Sequence, residues 1–318
     1  MALIDTLAPS SISAKARHSL FLPEMRGVAF GASAAVIWGL YLALARKGVT
    51  SGLTPVDIAV FRYVTAGFVM LPWFVLNFSQ VRAVGVWRAL TLAALAGPPF
   101  ILFGVGGYLF APLAHGAVIQ PAVVTAVSMI LAALVLGDRP SKVRALGVSV
   151  IILGVAVIAG PGLFIVSGLT PLGDAMFAAA GFCWAGFTIL SRRWSVAPLV
   201  SAAIVSVLSG AIMLPTALFG VGLAHYAALP ASTLMVQILV QGLLTGVVSV
   251  IAFTTAVRLI GPAKAAVFPA LVPAAAILIG IPVAGEWPSA LQFVGLGFVS
   301  LGLMISVDVI KLRRTAQR

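Results

Sequence analysis

The sequence predicts an all-α polytopic membrane protein with ten transmembrane helices in two inverted-topology repeats of five. Three observations support this fold class: the composition, the length of the apolar runs, and motifs that recur half a chain apart. Of the 318 residues, 62% are hydrophobic and only 8% are charged, whereas a soluble domain has about a quarter of its residues charged. Most of the surface must therefore face lipid.

Apolar runs bounded by charged residues, Pro or Gly define the predicted helices. About 17–25 apolar residues are needed to cross the hydrocarbon core of a bilayer. The predicted helices are 27–45, 56–77, 89–110, 116–136, 143–160, 171–190, 197–221, 233–257, 264–284 and 290–310. Short connections separate them, which leaves an N-terminal tail at 1–26 and a basic C-terminal tail at 311–318.

The distribution of Lys and Arg predicts the orientation, because short loops rich in these residues stay in the cytoplasm. With the N-terminus inside, Arg46 and Lys47 are the only ones of the 19 Lys and Arg residues in the predicted outer loops. Both termini are therefore predicted to be cytoplasmic. The net charge of +12 does not predict a nucleic-acid partner, because a basic face on a soluble domain is missing.

Motifs of the first half recur in the second half. GFVMLP at Gly67–Pro72 returns as GAIMLP at Gly210–Pro215, and Trp38 corresponds to Trp184. The loops that begin at Gly137 and Gly285 share a Gly-acid-x-Pro-Ser pattern. The predicted repeats are residues 27–160 and 161–310. Five helices per repeat place the second repeat upside down in the membrane, which is a transporter design with a central site between the halves.

These features together resemble the EamA-type drug/metabolite transporter superfamily. The resemblance rests on Trp38 and Gly39 in the first helix, Arg62 in the second, and the two Gly-acid-x-Pro loops, and it covers residues 27–310. It implies a bacterial inner-membrane exporter of amino acids, other metabolites or drugs. It also implies that helices one, three, four, six, eight and nine line the cavity.

A helix break and mid-membrane aromatic residues indicate the substrate site. Pro98 and Pro99 follow Gly97 near mid-membrane, where Pro removes a backbone donor and disturbs the helix. The freed backbone groups need protein or a water-filled cavity around them. Trp38 and Trp184 lie away from the interfaces where Trp usually concentrates, so they either line a cavity or pack in the bundle. The predicted substrate-binding residues are Trp38, Tyr41, Gly97, Pro98, Tyr108, Gln120, Pro121, Trp184, Phe187, Phe268 and Pro269.

Three charged residues could have a coupling or charge role: Arg62, Asp57 and Asp174. Thr54 before Asp57, and Thr170 before Asp174, also fit helix N-caps. Arg62 lies about 10 Å of helix rise below the predicted outer surface. It could snorkel, pair with a carboxylate, or bind an anionic group of a substrate. Asp308 is expected to form a surface pair with Lys311.

The function expected from this pattern is export of a small neutral, zwitterionic or amphipathic metabolite by alternating access. A phosphate-linked or other anionic cargo, held by Arg62 and Lys264, is the alternative within transport. An intramembrane enzyme or a membrane scaffold are alternatives of another class. An enzyme is not expected, because the three histidines are scattered and the catalytic motifs are missing. The expected partners are the bilayer and a small-molecule substrate, without nucleic acid or cofactor, in a monomer or a homodimer.

Overall fold

The structure is a computed structural model that describes residues 14–138, 140–164, 168–265 and 267–306. These ranges contain helices and no β-strand, which confirms the predicted all-α class. The long helices of these ranges are α1 (Ala14–Thr50), α2 (Pro55–Leu76), α3 (Val86–Leu109), α4 (Leu113–Leu136), α5 (Lys142–Phe164), α6 (Thr170–Arg193), α7 (Pro198–Ala228), α8 (Ala231–Gly261), α9 (Val267–Ala284) and α10 (Ala290–Ser306).

Each predicted span corresponds to one of these helices. Eight of the described helices are long and apolar enough to cross a membrane, and α10 is a shorter apolar helix. The remaining helix, α5, has 23 residues. Because α1 begins at Ala14, residues 14–26 are helical, although they were predicted to be part of a tail. Residues 1–13, the C-terminal tail and the expected pair of Asp308 with Lys311 lie outside the described residues.

The equivalent helices α2 and α7 run antiparallel and meet at Gly67 and Gly210. A Cβ atom added to Gly67 would lie 2.9 Å from the carbonyl oxygen of Ser206, and one added to Gly210 would lie 2.7 Å from that of Tyr63. The repeat equates Gly67 with Gly210 and Tyr63 with Ser206. Exchanging the two repeats therefore converts one contact into the other. This is what a two-fold symmetry axis does.

The equivalent helices α5 and α10 show the same reciprocity. A Cβ atom on Gly147 would lie 2.8 Å from the carbonyl oxygen of Gly302, and one on Gly154 would lie 2.7 Å from that of Gly295. The repeat equates Gly147 with Gly295 and Gly154 with Gly302. Because both helix pairs run antiparallel, the axis that exchanges them is perpendicular to the helices and lies in the membrane plane. The predicted inverted topology is therefore present.

The helices α1 and α6 pack against the opposite repeat. α1 contacts α8 and α9, and its equivalent α6 contacts α3 and α4. Gly39 of α1 lies against the backbone of Ala275 in α9, and Gly181 of α6 lies against Gln120 in α4. Small residues allow this close approach between helices in a membrane. Trp38 and Trp184, on α1 and α6, are consequently located at the boundary between the two halves.

The equivalent helices α3 and α8 both lose α-helical geometry in mid-span. α3 is interrupted at Gly97, where φ is −91° and ψ is −144°, as the prolines predict. α8 contains a π-helical segment at Ile238–Val248, and α7 contains one at Thr216–Gly222. The π-helical segments were not predicted from the sequence. Such segments are frequent at functional sites.

Candidate functional site

An ion-pair network closes one end of the bundle, the end that the charge distribution predicts to face outside. Arg46, near the end of α1, pairs with Glu286 in the connection from α9 to α10 and also donates to the carbonyl oxygen of Tyr108. The other carboxylate oxygen of Glu286 accepts a 2.8 Å hydrogen bond from the backbone N–H of Leu113. The network therefore joins the ends of α1, α3 and α4 to the second repeat.

A cleft with a volume of about 290 Å³ lies beside this ion pair. The residues that line it come from both repeats and include Arg46, Leu113, Ile277, Glu286, Trp287 and Gln292. Neither Arg46 nor Glu286 is among the site residues predicted from the sequence. The Gly-acid-x-Pro loop was the sequence signal for Glu286. The partner of Glu286, Arg46, lies in the other repeat.

Asp57 caps the start of α2 and also contacts another helix, at the same end of the bundle as the ion-pair network. Its carboxylate accepts a 2.8 Å hydrogen bond from the Thr54 backbone N–H, and its own N–H donates to the Thr54 hydroxyl at 3.1 Å. This confirms the predicted capping box at the start of α2. The second carboxylate oxygen lies 3.2 Å from Nε2 of His225 in α7.

The predicted N-cap role of Asp174 is wrong. The start of α6 has no side-chain cap hydrogen bond, and the Thr170 hydroxyl instead donates to the carbonyl oxygen of Phe110. Asp174 lies 2.8 Å from Nδ1 of His115 in α4. The imidazole competes with the backbone N–H groups for this carboxylate, because α6 lies directly against α4. Like the contact of Asp57 with His225, this pair joins the two repeats.

The side chain of Arg62 is buried between tyrosine rings. Its residue exposure is 9%, so the snorkelling interpretation is wrong. The guanidinium carbon lies 5.1 Å from the centre of the Tyr41 ring and 5.8 Å from that of Tyr63. Among the described residues, Nη1 has no hydrogen-bond partner. A cation–π contact contributes about 0.5–2 kcal/mol, while burial of an ion costs several kcal/mol, so the two rings do not fully compensate this charge.

The break in α3 is stabilised by the protein itself. The Tyr63 hydroxyl lies 2.8 Å from the carbonyl oxygens of both Ala96 and Gly97, and the Gly97 oxygen also accepts a 3.1 Å hydrogen bond from the Phe100 backbone N–H. Gly97 and Pro98 are buried. These contacts show a structural reason for the break, and a direct contact of Gly97 or Pro98 with substrate stays a prediction.

The two predicted tryptophans contact different neighbours. The Trp38 indole N–H donates to the Ser249 hydroxyl at 3.1 Å, and its ring centre lies 5.4 Å from that of Phe253. Trp184 packs between Phe100 and Phe187, at ring-centre distances of 5.0 and 5.3 Å. Both tryptophans are partly exposed. The indole N–H of Trp38 thus has a hydrogen-bond acceptor within the protein, and part of the ring remains exposed.

The remaining predicted residues divide by burial. Tyr108 packs on Phe177, and Phe268 packs on Gly31. Gln120, Pro121 and Pro269 are partly exposed. The buried group is Tyr41, Gly97, Pro98, Tyr108 and Phe268, and the partly exposed group is Trp38, Gln120, Pro121, Trp184, Phe187 and Pro269. Pro121 lies inside α4, whereas Pro269 lies in the first turn of α9.

The helix α4 shows that the two ends of the bundle are packed differently. Residues 113–119, next to the ion-pair network, are all buried, whereas residues 123–129 are all partly exposed. Seven consecutive residues cover every face of a helix. One end of α4 is therefore surrounded by protein, and its middle part has no fully covered face.

The profile of the EamA-like transporter family matches residues 25–160 and 171–307, one match for each repeat. The chain belongs to the EamA-like transporter family. Members of this family are transporters, and this chain is accordingly a multi-pass membrane protein of the drug/metabolite transporter type.

Twelve chains of solved structures resemble this EamA-family chain. One of them, described as "Crystal structure of protein", has a TM-score of 0.59 and 17% sequence identity, and the alignment covers 90% of this chain and 98% of that chain. A likeness at this identity concerns the fold alone. No curated protein matches the sequence.

Proposed function

We propose that this EamA-family protein exports a small neutral, zwitterionic or amphipathic metabolite across a bacterial inner membrane by alternating access. One observation carries the proposal: a two-fold axis in the membrane plane exchanges the contacts of the two repeats. In an inverted-repeat transporter, exchange of the repeats' conformations turns an inward-open molecule into an outward-open one.

The uneven packing along the bundle supports an inward-open state. The three side-chain pairs Arg46–Glu286, His115–Asp174 and His225–Asp57 lie at one end, and each joins the two repeats. The same end of α4 is buried, while its middle part is partly exposed. With the orientation that the Lys and Arg distribution predicts, the closed end is the outer one.

The proposed substrate contacts the aromatic residues at the boundary between the halves. Trp38 on α1 and Trp184 on α6 occupy equivalent positions, and Phe187 extends the surface of Trp184. All three side chains are partly exposed. Aromatic rings bind apolar parts of a ligand over a large area, which agrees with an amphipathic or amino-acid-like cargo.

The pairing of Lys264 argues against a phosphate-linked cargo. Lys264 forms an ion pair with Glu24, and both side chains are more than half exposed. Lys264 therefore already has an acidic partner and is not close to Arg62. Arg62 alone would then have to bind a phosphate group that carries two negative charges. For this reason we retain the neutral, zwitterionic or amphipathic class.

Export can be tested by comparing the extracellular metabolites of cells with and without the protein, using Trp38→Ala as a variant. We expect at least one small metabolite to accumulate outside cells that contain the unaltered protein, and less of it with Trp38→Ala at equal membrane levels. An identical metabolite profile with and without the protein would contradict the proposed export.

Orientation requires a separate measurement. After Cys183→Ser, single cysteines at Arg144 and Trp287, which are both exposed, should react with a membrane-impermeant maleimide from opposite sides. Trp287→Cys should react in intact cells, and Arg144→Cys only in inverted vesicles. Reaction of both cysteines from the same side would disprove the inverted topology in the membrane.

A further inference from the structure

We propose that Arg62 binds a carboxylate of the transported molecule, which makes the substrate a zwitterion or an amphipathic monocarboxylate. This inference rests on the proposed transport function and assigns a chemical group to its cargo. The starting observation is a buried guanidinium that has no ion-pair partner among the described residues.

The described acidic residues form no ion pair with Arg62, although Asp57 Oδ1, which lies 3.2 Å from His225 Nε2, has no hydrogen-bond partner among the described residues. Each of them has an ion-pair partner or a close histidine: Glu24 with Lys264, Asp57 with His225, Asp138 with Arg192, Asp174 with His115, and Glu286 with Arg46. The two other acidic residues of the chain, Asp5 and Asp308, lie outside the described residues. Within the described part of the chain, Arg62 thus has no carboxylate partner.

The position of Arg62 is suited to a ligand between the halves. α1 and α2 follow each other in sequence but make few direct contacts, and the Arg62 side chain extends from α2 to Tyr41 on α1. The Gln241 amide of α8, in the second repeat, donates to the carbonyl oxygen of that same Tyr41. Arg62 therefore lies where elements of both repeats converge, next to the boundary that carries Trp38.

The chemistry of the group favours a carboxylate over a phosphate. A guanidinium presents paired N–H donors that match the two oxygens of a carboxylate, and Nη1 has no partner among the described residues. The aromatic surroundings of Tyr41 and Tyr63 provide no second cation. One positive charge neutralises one carboxylate, whereas a phosphate monoester would bring an excess negative charge into a low-dielectric site.

The test compares each acid with the amide in which an uncharged carboxamide replaces the carboxylate, on the purified full-length protein. The probes are L-phenylalanine and L-phenylalaninamide, together with phenylacetate and phenylacetamide. Binding is measured as a ligand-dependent rise in melting temperature and by titration. We expect the two carboxylates to stabilise the unaltered protein and the two amides to have no effect.

The variants are Arg62→Gln and, as a matched control, Arg88→Gln. Arg88 also lies near an aromatic ring, with its guanidinium carbon 5.6 Å from the centre of the Trp194 ring, but it is exposed. Loss of a charge-assisted hydrogen bond should weaken carboxylate binding roughly ten- to a hundredfold in Arg62→Gln. Arg88→Gln should bind like the unaltered protein.

Three results would overturn the assignment: acids that bind no better than amides, acids that do not bind the unaltered protein, or equal affinities with Arg62→Gln. If Arg62→Gln does not fold, the comparison of acids with amides on the unaltered protein and Arg88→Gln decides alone. Normal export by Arg62→Gln would reject Arg62 but leave the transporter proposal intact, whereas missing export by the unaltered protein would reject transport itself.

Discussion

The hydroxyl of Tyr63 is the polar side-chain group that contacts the backbone at the break in α3. It lies 2.8 Å from both the Ala96 and Gly97 carbonyl oxygens in a buried environment. Removal of the hydroxyl in Tyr63→Phe takes this donor away from the buried Ala96 carbonyl oxygen, while the Gly97 oxygen keeps the Phe100 backbone N–H. An unsatisfied buried carbonyl group costs about 1–3 kcal/mol. We therefore expect a lower melting temperature of the purified protein.

Tyr226→Phe is the matched control for this substitution. The hydroxyl of Tyr226 is also buried, but it has no hydrogen-bond partner among the described residues. This hydroxyl lies near the Asp57 carboxylate but does not contact the backbone of a helix break, so its removal should lower the melting temperature less than Tyr63→Phe does. Equal destabilisation by the two substitutions would show that loss of the hydroxyl, rather than loss of its contact with the break, causes the effect.

Residue types could be predicted from the sequence more readily than their partners. Asp57 forms the capping box that the spacing to Thr54 predicts, because both residues belong to one turn. Asp174 has a comparable local pattern, yet its carboxylate contacts His115 in another helix. Which group each carboxylate contacts depends on the distances between helices. These distances cannot be read from a short stretch of sequence.

At the scale of elements, glycines determine how closely the equivalent helices approach. A Cβ atom at Gly154 of α5 would lie 2.7 Å from the Gly295 carbonyl oxygen of α10, whose backbone cannot easily move away. Overpacking of this kind costs about 1–3 kcal/mol. Gly154→Ala should therefore lower the melting temperature and the amount of folded protein in the membrane.

The control for Gly154→Ala is available on the partner helix. A Cβ atom at Gly297 of α10 would meet nothing within 4 Å. Because Ala is a better helix former than Gly by about 1 kcal/mol, Gly297→Ala should be neutral or stabilising. A loss of stability with Gly297→Ala, as large as with Gly154→Ala, would refute the role of close packing.

The irregular parts of α3 and α8 show why one half of the molecule was easier to predict. In α3, Gly97 and Pro98 predict the break, because Pro lacks the backbone N–H donor that a helix needs. In α8, the π-helical segment Ile238–Val248 lies in an apolar sequence without proline. The segment packs closely against a neighbouring helix, since Gly242 lies there against Thr65 of α2.

At the scale of the whole molecule, the same two helices are linked by ion pairs at both ends of the bundle. Arg46 pairs with Glu286 where α1 and α9 end, and Glu24 pairs with Lys264 near the other ends of these helices. The first pair is 18% and 25% exposed, the second 65% and 51%. Exposed pairs contribute about 0–1 kcal/mol, so the first pair is the stronger link.

This difference predicts which substitution opens the molecule. The double substitution Arg46→Gln with Glu286→Gln removes contacts that hold the halves together at the proposed outer end, without leaving one charge unpaired. A differential contact free energy of about 1–3 kcal/mol changes a conformational equilibrium roughly 5- to 150-fold. The outer end should therefore open more often.

Opening can be measured at Ile277, which is 2% exposed and lines the cleft beside the pair. In a Cys183→Ser background, Ile277→Cys should react faster with an impermeant maleimide in intact cells once Arg46 and Glu286 are neutralised. Neutralising Glu24 and Lys264 instead should not accelerate the reaction, because that pair lies at the opposite end. Equal acceleration by both double substitutions would indicate general loosening of the bundle, and no acceleration by the first would show that this network does not keep the outer end closed.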